Sequence, residues 1–298
     1  MKIKKYAAID IGSNAVRLLI ANIIIEKGKE TLFRKSSLVR VPIRLGADSF
    51  VKGTISDDNI ERMIDVMNAF KLLIKINGVE KFKACATSAI READNGIEVV
   101  KKITKKIGIS IDIIDGKKEA AIIASTDLNE LIESDQSYLY VDVGGGSTEF
   151  TIFSGGKIIN CKSFKMGTVR LLNNEKSVNK LIFKEVKKWI KSNTKDLNNL
   201  SLIGSGGNIN KIFKMSERPL GKPLSYIYLK AHYQFLKQMS YNERITELGL
   251  NPDRADVIIP ATKIYLNAMK WGDATKIYVP KIGLADGIIK GLHLGKFD

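Results

Sequence analysis

Apolar and polar positions along this chain change period several times, and each change marks an element. Residues 6–11, 16–25 and 31–40 read as three consecutive strands. Ile60, Met63, Ile64, Met67, Phe70 and Leu73 then recur at helical spacing, which predicts a helix from Ser56 to Asn77. Ser56-Asp57-Asp58 offers capping oxygens at its start, and Gly78 stops it. Lys81 to Ala86 predicts a short strand, Ile97 to Ile107 a helix, Ile109 to Ile114 a strand, and Glu119 to Leu131 a helix leading onward. The pattern then restarts. Strands are expected at 138–143, 149–154 and 157–165, a helix at 178–193, a strand at 200–204, and mostly helices thereafter. Each half opens with antiparallel strands and continues with alternating helix and strand, an order that fits an α/β fold built from a repeated mixed sheet flanked by helices. The period is too long for a solenoid and indicates domain duplication. No Pro- or Ser-rich linker separates the halves, so a short hinge near residues 115–125 is expected.

The restart reproduces a small device. Tyr6-Ala-Ala-Ile-Asp10-Ile-Gly12-Ser13-Asn14 returns as Tyr138-Leu-Tyr-Val-Asp142-Val-Gly144-Gly145-Gly146, 132 positions further on. In both, an apolar run ends in Asp, an apolar residue and small residues, and a second apolar run follows. Each reads as a strand, a tight turn and an antiparallel return strand. An Asp at the end of a buried strand is too costly to keep ionised without a partner. Two such loops predict two related lobes gripping one phosphate chain with a metal ion between them.

The loops supply the chemistry. Gly12, Ser13 and Asn14 offer N–H groups and a hydroxyl to an anion, and Gly144, Gly145, Gly146, Ser147 and Thr148 offer the same from the second half. Gly204 to Asn208, between a strand and a helix start, is a third anion position that includes Gly206 and Gly207. Any one of these loops alone is better read as a tight turn; three in one chain shift the reading to phosphate binding. Asp142 and Glu149 are hard oxygen ligands suited to Mg²⁺, with Asp10 facing them from the first lobe. The alternative for each acid is a turn-capping or salt-bridged carboxylate. Arg17 and Arg91 present planar forks for phosphate oxygens, with a surface salt bridge as the alternative for Arg17.

Composition narrows the class. The chain has 298 residues, long enough for two domains, and its 44% hydrophobic content is that of an ordinary globular protein. No apolar run approaches the ~18 residues that span a membrane. Met1-Lys2-Ile3-Lys4-Lys5 leads straight into a strand without a signal-peptide core, so a cytoplasmic location is expected. Cys85 and Cys161 lie in apolar strand-like runs and are expected to be two buried thiols. His232 and His293 show no paired-ligand spacing and are expected at the surface or in packing. Forty-eight basic against 32 acidic residues give a net charge of +16, which favours polyanionic partners. Much of the excess lies at Lys176, Lys180, Lys184, Lys187, Lys188, Lys191 and Lys195. A solvated Lys-rich face and a polyanion track are both open readings of that stretch. Base-stacking aromatics do not interleave with these lysines, so no specific nucleic-acid partner is read.

Three motifs in order carry a resemblance: Asp10-Ile-Gly-Ser-Asn14 with Arg17, Ala86-Thr-Ser-Ala-Ile-Arg91, and Asp142-Val-Gly-Gly-Gly-Ser-Thr-Glu149. Weaker matches follow at Gly167-Thr-Val-Arg-Leu171, Gly204-Ser-Gly-Gly207 and Arg254-Ala-Asp-Val-Ile-Ile-Pro260. Together they resemble the exopolyphosphatase/guanosine pentaphosphate phosphatase (Ppx/GppA) family, of the actin, Hsp70 and sugar-kinase superfamily. The resemblance implies two duplicated ribonuclease H-like domains with an interdomain cleft. The first would cover 1–122 and the second 123–298, with a C-terminal helix at about 283–298 packing back on the first. It implies a Mg²⁺-dependent hydrolase that releases terminal phosphate from polyphosphate or converts guanosine pentaphosphate to tetraphosphate, a reaction of the stringent response. It adds Ser88 to the phosphate contacts and makes Glu119 the catalytic base, in Gly116-Lys117-Lys118-Glu119-Ala120, where Lys118 replaces a family Glu. From the residues alone, Glu119 reads as an acid complementing a helix dipole. Asn208 stands where a hydroxyl residue is usual, and Leu284-Ala285-Asp286-Gly287 lacks the family's Arg and Glu before the Gly. Ending at Asp298, the sequence resembles the short two-domain form. The resemblance leaves a homodimer open. A superfamily kinase and a non-catalytic polyphosphate or alarmone sensor are the alternative functions, and Lys118 keeps the sensor in play.

Overall fold

The computed structural model describes residues 1–124, 126 and 136–297. The chain divides into two compact units, one formed by 1–126 with 284–298 and the other by 127–283.

Unit 1 opens with β1 (Lys2–Ile11), β2 (Ala15–Ile25) and β3 (Leu32–Pro42), an antiparallel meander. After α1 (Leu45–Lys52) and α2 (Asp57–Ile76), β4 (Lys81–Ala86) adds parallel to β1. Then come α3 (Ser88–Glu92), α4 (Gly96–Ile107), β5 (Ile111–Ile113) and α5 (Gly116–Ala124). The sheet order is β3-β2-β1-β4-β5. Helix α2 forms where the periodicity predicts it: Ser56 Oγ accepts from the Asn59 N–H at the start, and Gly78 follows the Asn77 cap with φ +63°. Its buried face runs Ile60, Met63, Ile64, Met67, Phe70 and Ile74; Leu73, the last residue of the predicted spacing, is partly buried beside that stripe. The helix expected over Glu119 to Leu131 is seen as Gly116–Ala124, and residues 125 and 127–131 of that expectation lie outside the described residues.

Unit 2 repeats the plan. β6 (Ser137–Val143), β7 (Thr148–Ser154) and β8 (Lys157–Phe164) form the antiparallel meander. Helices α6 (Thr168–Asn173) and α7 (Lys176–Thr194) follow, and β9 (Leu200–Ser205) pairs parallel to β6. Next are α8 (Gly207–Met215), β10 (Leu224–Ser225), α9 (Tyr226–Gln238), α10 (Tyr241–Thr246), α11 (Pro252–Ala255), α12 (Ile258–Trp271) and β11 (Lys276–Tyr278). The sheet order is β8-β7-β6-β9-β11-β10, so its first four strands retrace β3-β2-β1-β4. The core closes around Leu139, Val141, Phe150, Ile190, Leu202 and Ile264, with α12 buried along most of its length. Finally α13 (Leu284–His293) packs on β1, β2, β4 and α5 of unit 1.

Both units are therefore mixed sheets flanked by helices, as the repeat predicted. One burial expectation fails. Cys85 is buried on the central strand β4, but Cys161 is exposed. It lies on β8, an edge strand whose residues face solvent from Lys157 to Lys162. Apolar flanks cannot bury a side chain that no layer covers. No helix among the described residues is long and apolar enough to cross a membrane.

Candidate active site

The same turn is built in each unit. In unit 1 the Gly12 N–H donates to the Ala15 carbonyl at 3.1 Å, reversing β1 into β2; in unit 2 the Gly144 N–H donates to the Ser147 carbonyl at 3.0 Å, reversing β6 into β7. Gly12 and Gly144 therefore spend their N–H groups on the turn. The N–H groups of Ser13, Gly145 and Gly146 find no acceptor among the described residues. They are the donors left for an anion, beside the strand-end carboxylates Asp10 and Asp142.

The loops' carbonyls are spent as well. Ser13 and Asn14 accept from the Gly46 and Arg44 N–H groups at the start of α1. Gly144 and Gly145 accept from Thr168, Val169 and Arg170 at the start of α6, and Gly146 accepts from Arg170 Nε at 2.9 Å. Each turn is thus held by the N-terminus of a following helix. Gly167 makes the second clasp feasible: a Cβ there would lie 2.2 Å from the Gly145 carbonyl.

Register places the charged partners. Asp10 sits opposite Arg17 across β1 and β2, and Asp142 opposite Glu149 across β6 and β7. Arg17 Nη1 bonds Asp10 Oδ2 at 3.2 Å. Burial pushes the Asp10 carboxyl above its ordinary value, and the Arg17 charge and hydrogen bond offset part of that rise. Arg17 thus makes a salt bridge to a buried strand-end carboxylate, not one between two surface groups. Glu149 is 2% exposed, and its Oε1 accepts from Ser147 Oγ at 2.7 Å and Ser163 Oγ at 2.8 Å.

Other expected donors are turned inward. Ser13 Oγ and Ser88 Oγ share a hydrogen bond of 2.9 Å, which brings those two site residues together. The Thr148 hydroxyl donates to the Met166 carbonyl. Arg91 Nη1 donates to the Ile114 carbonyl at 2.7 Å and its Nη2 lies 3.9 Å from Glu92, so its fork faces protein. Glu119 lies in the first turn of α5, where Asp115 caps the helix by accepting from the Lys118 N–H, and the Lys118 side chain is exposed.

On the far side of β6, Gly206 adopts φ +117°, and a Cβ there would lie 2.8 Å from the Val143 carbonyl and 3.6 Å from Asp142 Oδ1. Only glycine lets the third loop pass this close to Asp142. Gly204 belongs instead to β9, packed against Ile277. Gly207 accepts from Arg254 Nη1 at 3.2 Å, and Asn208 carries a buried Oδ1 with no hydrogen-bond partner among the described residues.

Sequence reading missed Tyr265. From the buried face of α12 its hydroxyl donates to the Ser205 carbonyl. Burial, then the nearby Asp142 charge, holds its phenol well above the ordinary value, so it stays a neutral donor. The available signal was a phenol on a helical face that is apolar but for Thr262. Asp286, one of the noted departures, pairs with Lys35 Nζ at 2.7 Å.

Among the described residues no group of three or more His, Cys, Asp or Glu could hold a metal alone. Mg²⁺ needs only one or two carboxylates when phosphate oxygens and water complete its shell. Half-buried Asp142 beside the glycine turns meets that requirement. Glu149 stands behind it with one oxygen already committed to two hydroxyls.

The Ppx/GppA phosphatase family model matches residues 24–295. The chain belongs to that family. A bifunctional 3-dehydroquinate synthase/phosphatase of Fusobacterium nucleatum is 32% identical over 87% of this chain and 42% of its own length. A guanosine-5'-triphosphate,3'-diphosphate pyrophosphatase of Aliivibrio fischeri is 26% identical over 98% of this chain and 59% of its own. The chain thus spans about half the length of these curated relatives. The solved Ppx/GppA family member of Aquifex aeolicus matches at 27% identity and TM-score 0.78, covering 100% of both chains. An exopolyphosphatase structure from Cytophaga hutchinsonii, at 23% identity and TM-score 0.86 over 98% of both chains, shares the fold.

Proposed function

We propose that this chain is a Mg²⁺-dependent phosphohydrolase that removes the terminal phosphate of a linear phosphoanhydride, either inorganic polyphosphate or the 5′ end of guanosine pentaphosphate. Family membership supports the phosphatase class. The observation that carries the reading is the repeated turn, in which the peptide N–H groups of Ser13, Gly145 and Gly146 have no acceptor among the described residues, each turn beside its strand-end Asp. Such donors neutralise phosphate oxygens at fixed positions, the main form of catalysis in phosphoryl transfer.

Each residue then has a task. Gly145, Gly146 and the first turn of α8, from Gly207 and Asn208, receive phosphate oxygens. Asp142 and Glu149 of unit 2 would hold Mg²⁺, which would supply neutralising charge to the phosphates when bound, and Asp10 is the equivalent strand-end carboxylate of unit 1. Arg17 donates to Asp10 and offsets part of the rise that burial imposes on its carboxyl. Tyr265 holds the Ser205 carbonyl and so fixes the approach of Gly206 to Asp142. Glu119 orients and deprotonates the attacking water, and Arg91 and Ser88 hold the segment that leads into it.

The test is Mg²⁺-dependent phosphate release measured in parallel from short polyphosphate, long polyphosphate, guanosine pentaphosphate and ATP, with Glu119→Gln as control. Release from one of the first three that is lost in the control is expected. Normal turnover by the control would remove Glu119 from its role, and binding without release from any substrate would make the protein a sensor.

A further inference from the structure

The lysines of α7 form one surface. At 3.6 residues per turn, Lys176, Lys180, Lys184, Lys187, Lys188, Lys191 and Lys195 fall within an arc of about 120°, repeated along a helix about 27 Å long. All seven are exposed. Like charges four residues apart repel, and lysines in a helix's first turn oppose its dipole. The helix makes no internal compensation: its single acid, Glu185, lies off this arc and pairs with Lys162 of β8 at 3.1 Å. Among the described residues, only Lys195 of the seven has a carboxylate within reach, Asp196 at 3.8 Å. The stripe widens onto α12, where exposed Lys263 lies 5.0 Å over the Phe183 ring at the edge of the arc.

We infer that this face of α7 is a docking track for a linear inorganic polyphosphate chain. The choice of polyphosphate rests on the phosphohydrolase reading above; the cationic track itself does not. Point-charge ammonium groups at a repeat of about 6 Å suit a uniform, flexible line of charge. A nucleic acid would ask for aromatic platforms, and the helix's aromatics, Phe183 and Trp189, are packed into the core instead. An acidic membrane would ask for a continuous apolar face; Val186 and Ile190 are spent inside unit 2, and the exposed apolar residues of α7, Val178 and Leu181, are two single positions near its start, outside the lysine arc. Chains too short to run along the helix engage only part of the track, so affinity rises with chain length until the track is covered.

The experiment is equilibrium binding of polyphosphates of graded length and of single-stranded polyuridylate, in EDTA so that no hydrolysis intervenes. It compares the full chain with the quadruple variant Lys180→Gln, Lys184→Gln, Lys188→Gln, Lys191→Gln. A second variant removes Lys101, Lys102, Lys105 and Lys106 of α4, the same charge from elsewhere. We expect the α7 variant to bind long polyphosphate at least about tenfold more weakly at low salt. Its slope of log affinity against log salt should shrink by about three, at about 0.7 released counterions per charge. The α4 variant should bind nearly as the parent does, and Mg²⁺-dependent phosphate release from tripolyphosphate by the α7 variant should be unchanged. Equal losses in both variants would reduce the effect to net charge and overturn the track. So would an unchanged slope, or tighter binding of polyuridylate than of polyphosphate at matched charge. Absence of any phosphatase activity would strike the function proposed above while leaving this binding result readable on its own.

Discussion

At the scale of single residues, environment separates side chains of identical chemistry. Asp10 and Asp142 occupy equivalent strand ends, yet one faces Arg17 and the other Glu149. A buried carboxylate with a guanidinium stays charged more readily than one opposite another acid. The duplication has thus diverged at the position across the turn, where the guanidinium of one half is a carboxylate in the other. The two cysteines diverge as clearly. Burial, with smaller contributions from Asp112 and Asp10, pushes the Cys85 thiol up to about 12. The reactive thiolate fraction at pH 8 is then about one in ten thousand. Cys161 is exposed on an edge strand. Native protein should therefore consume one equivalent of a thiol reagent promptly and a second only on unfolding, and Cys161→Ser should abolish the fast phase. Two fast equivalents, or a fast phase surviving in Cys161→Ser, would contradict the burial of Cys85.

At the scale of elements, what local sequence carries and what only packing carries can be told apart. Strand β4 is found over Lys81 to Ala86, the residues the pattern indicated, and α2 keeps both its expected caps. Helices α1, α3 and α6 were not anticipated, and two of them share a cause: N–H groups at the starts of α1 and α6 donate to carbonyls of the distant loops at 13–14 and 144–145. No local cap announces them, and Arg44 even enters α1 with φ +62°. Strands β10 and β11, of two and three residues, are too short to show a period. The link between α1 and α2 also depends on a side chain. Asp48 accepts from Ser56 N–H and Oγ–H and from Asn59 Nδ2, and lies 3.6 Å from Lys52. Burial raises its carboxyl, but these Ser56 and Asn59 donors and the Lys52 charge outweigh it and hold the value below the ordinary one. A depressed folded-state value means stability that is complete above the unfolded value, about 3.9, and lost as pH falls through the folded one. Asp48→Asn should cost about 1–2 kcal/mol at neutral pH. The gap to the parent, measured by urea unfolding at several pH values, should close only in acid below pH ~4. A gap independent of pH would show that the charge is immaterial.

At the scale of the whole molecule, the duplication was legible because an Asp, two residues to a Gly and seven to a charged residue recur in both halves, and register sets each Asp opposite that residue across the turn. Tyr265, Arg254 and Gly167 were less legible as supports because they reach the loops from remote segments, through contacts that spacing does not encode. The chain path has the same character. Unit 1 is discontinuous: after residue 126 the chain builds unit 2, then returns at Leu284. The returning helix α13 buries Leu284, Ile288, Ile289 and Leu292. Gly287 lets it approach closely, since a Cβ there would lie 2.3 Å from the Ile122 carbonyl of α5. Each large apolar side chain contributes about 1.5–3 kcal/mol on burial, so the four together contribute about 6–12 kcal/mol. That matches the whole stability of an ordinary domain, about 5–15 kcal/mol. A chain ending at Gly283 should therefore keep unit 2 cooperative while unit 1 loses most of its margin. Denaturant unfolding should split into an early and a late transition, and limited proteolysis should cut within 1–126 first. Gly287→Ala in the full chain should move the early transition the same way by a smaller amount. A truncated chain that unfolds in one transition at the parent's midpoint would mean that α13 adds nothing to unit 1, and that residues 1–126 carry a sufficient core without it.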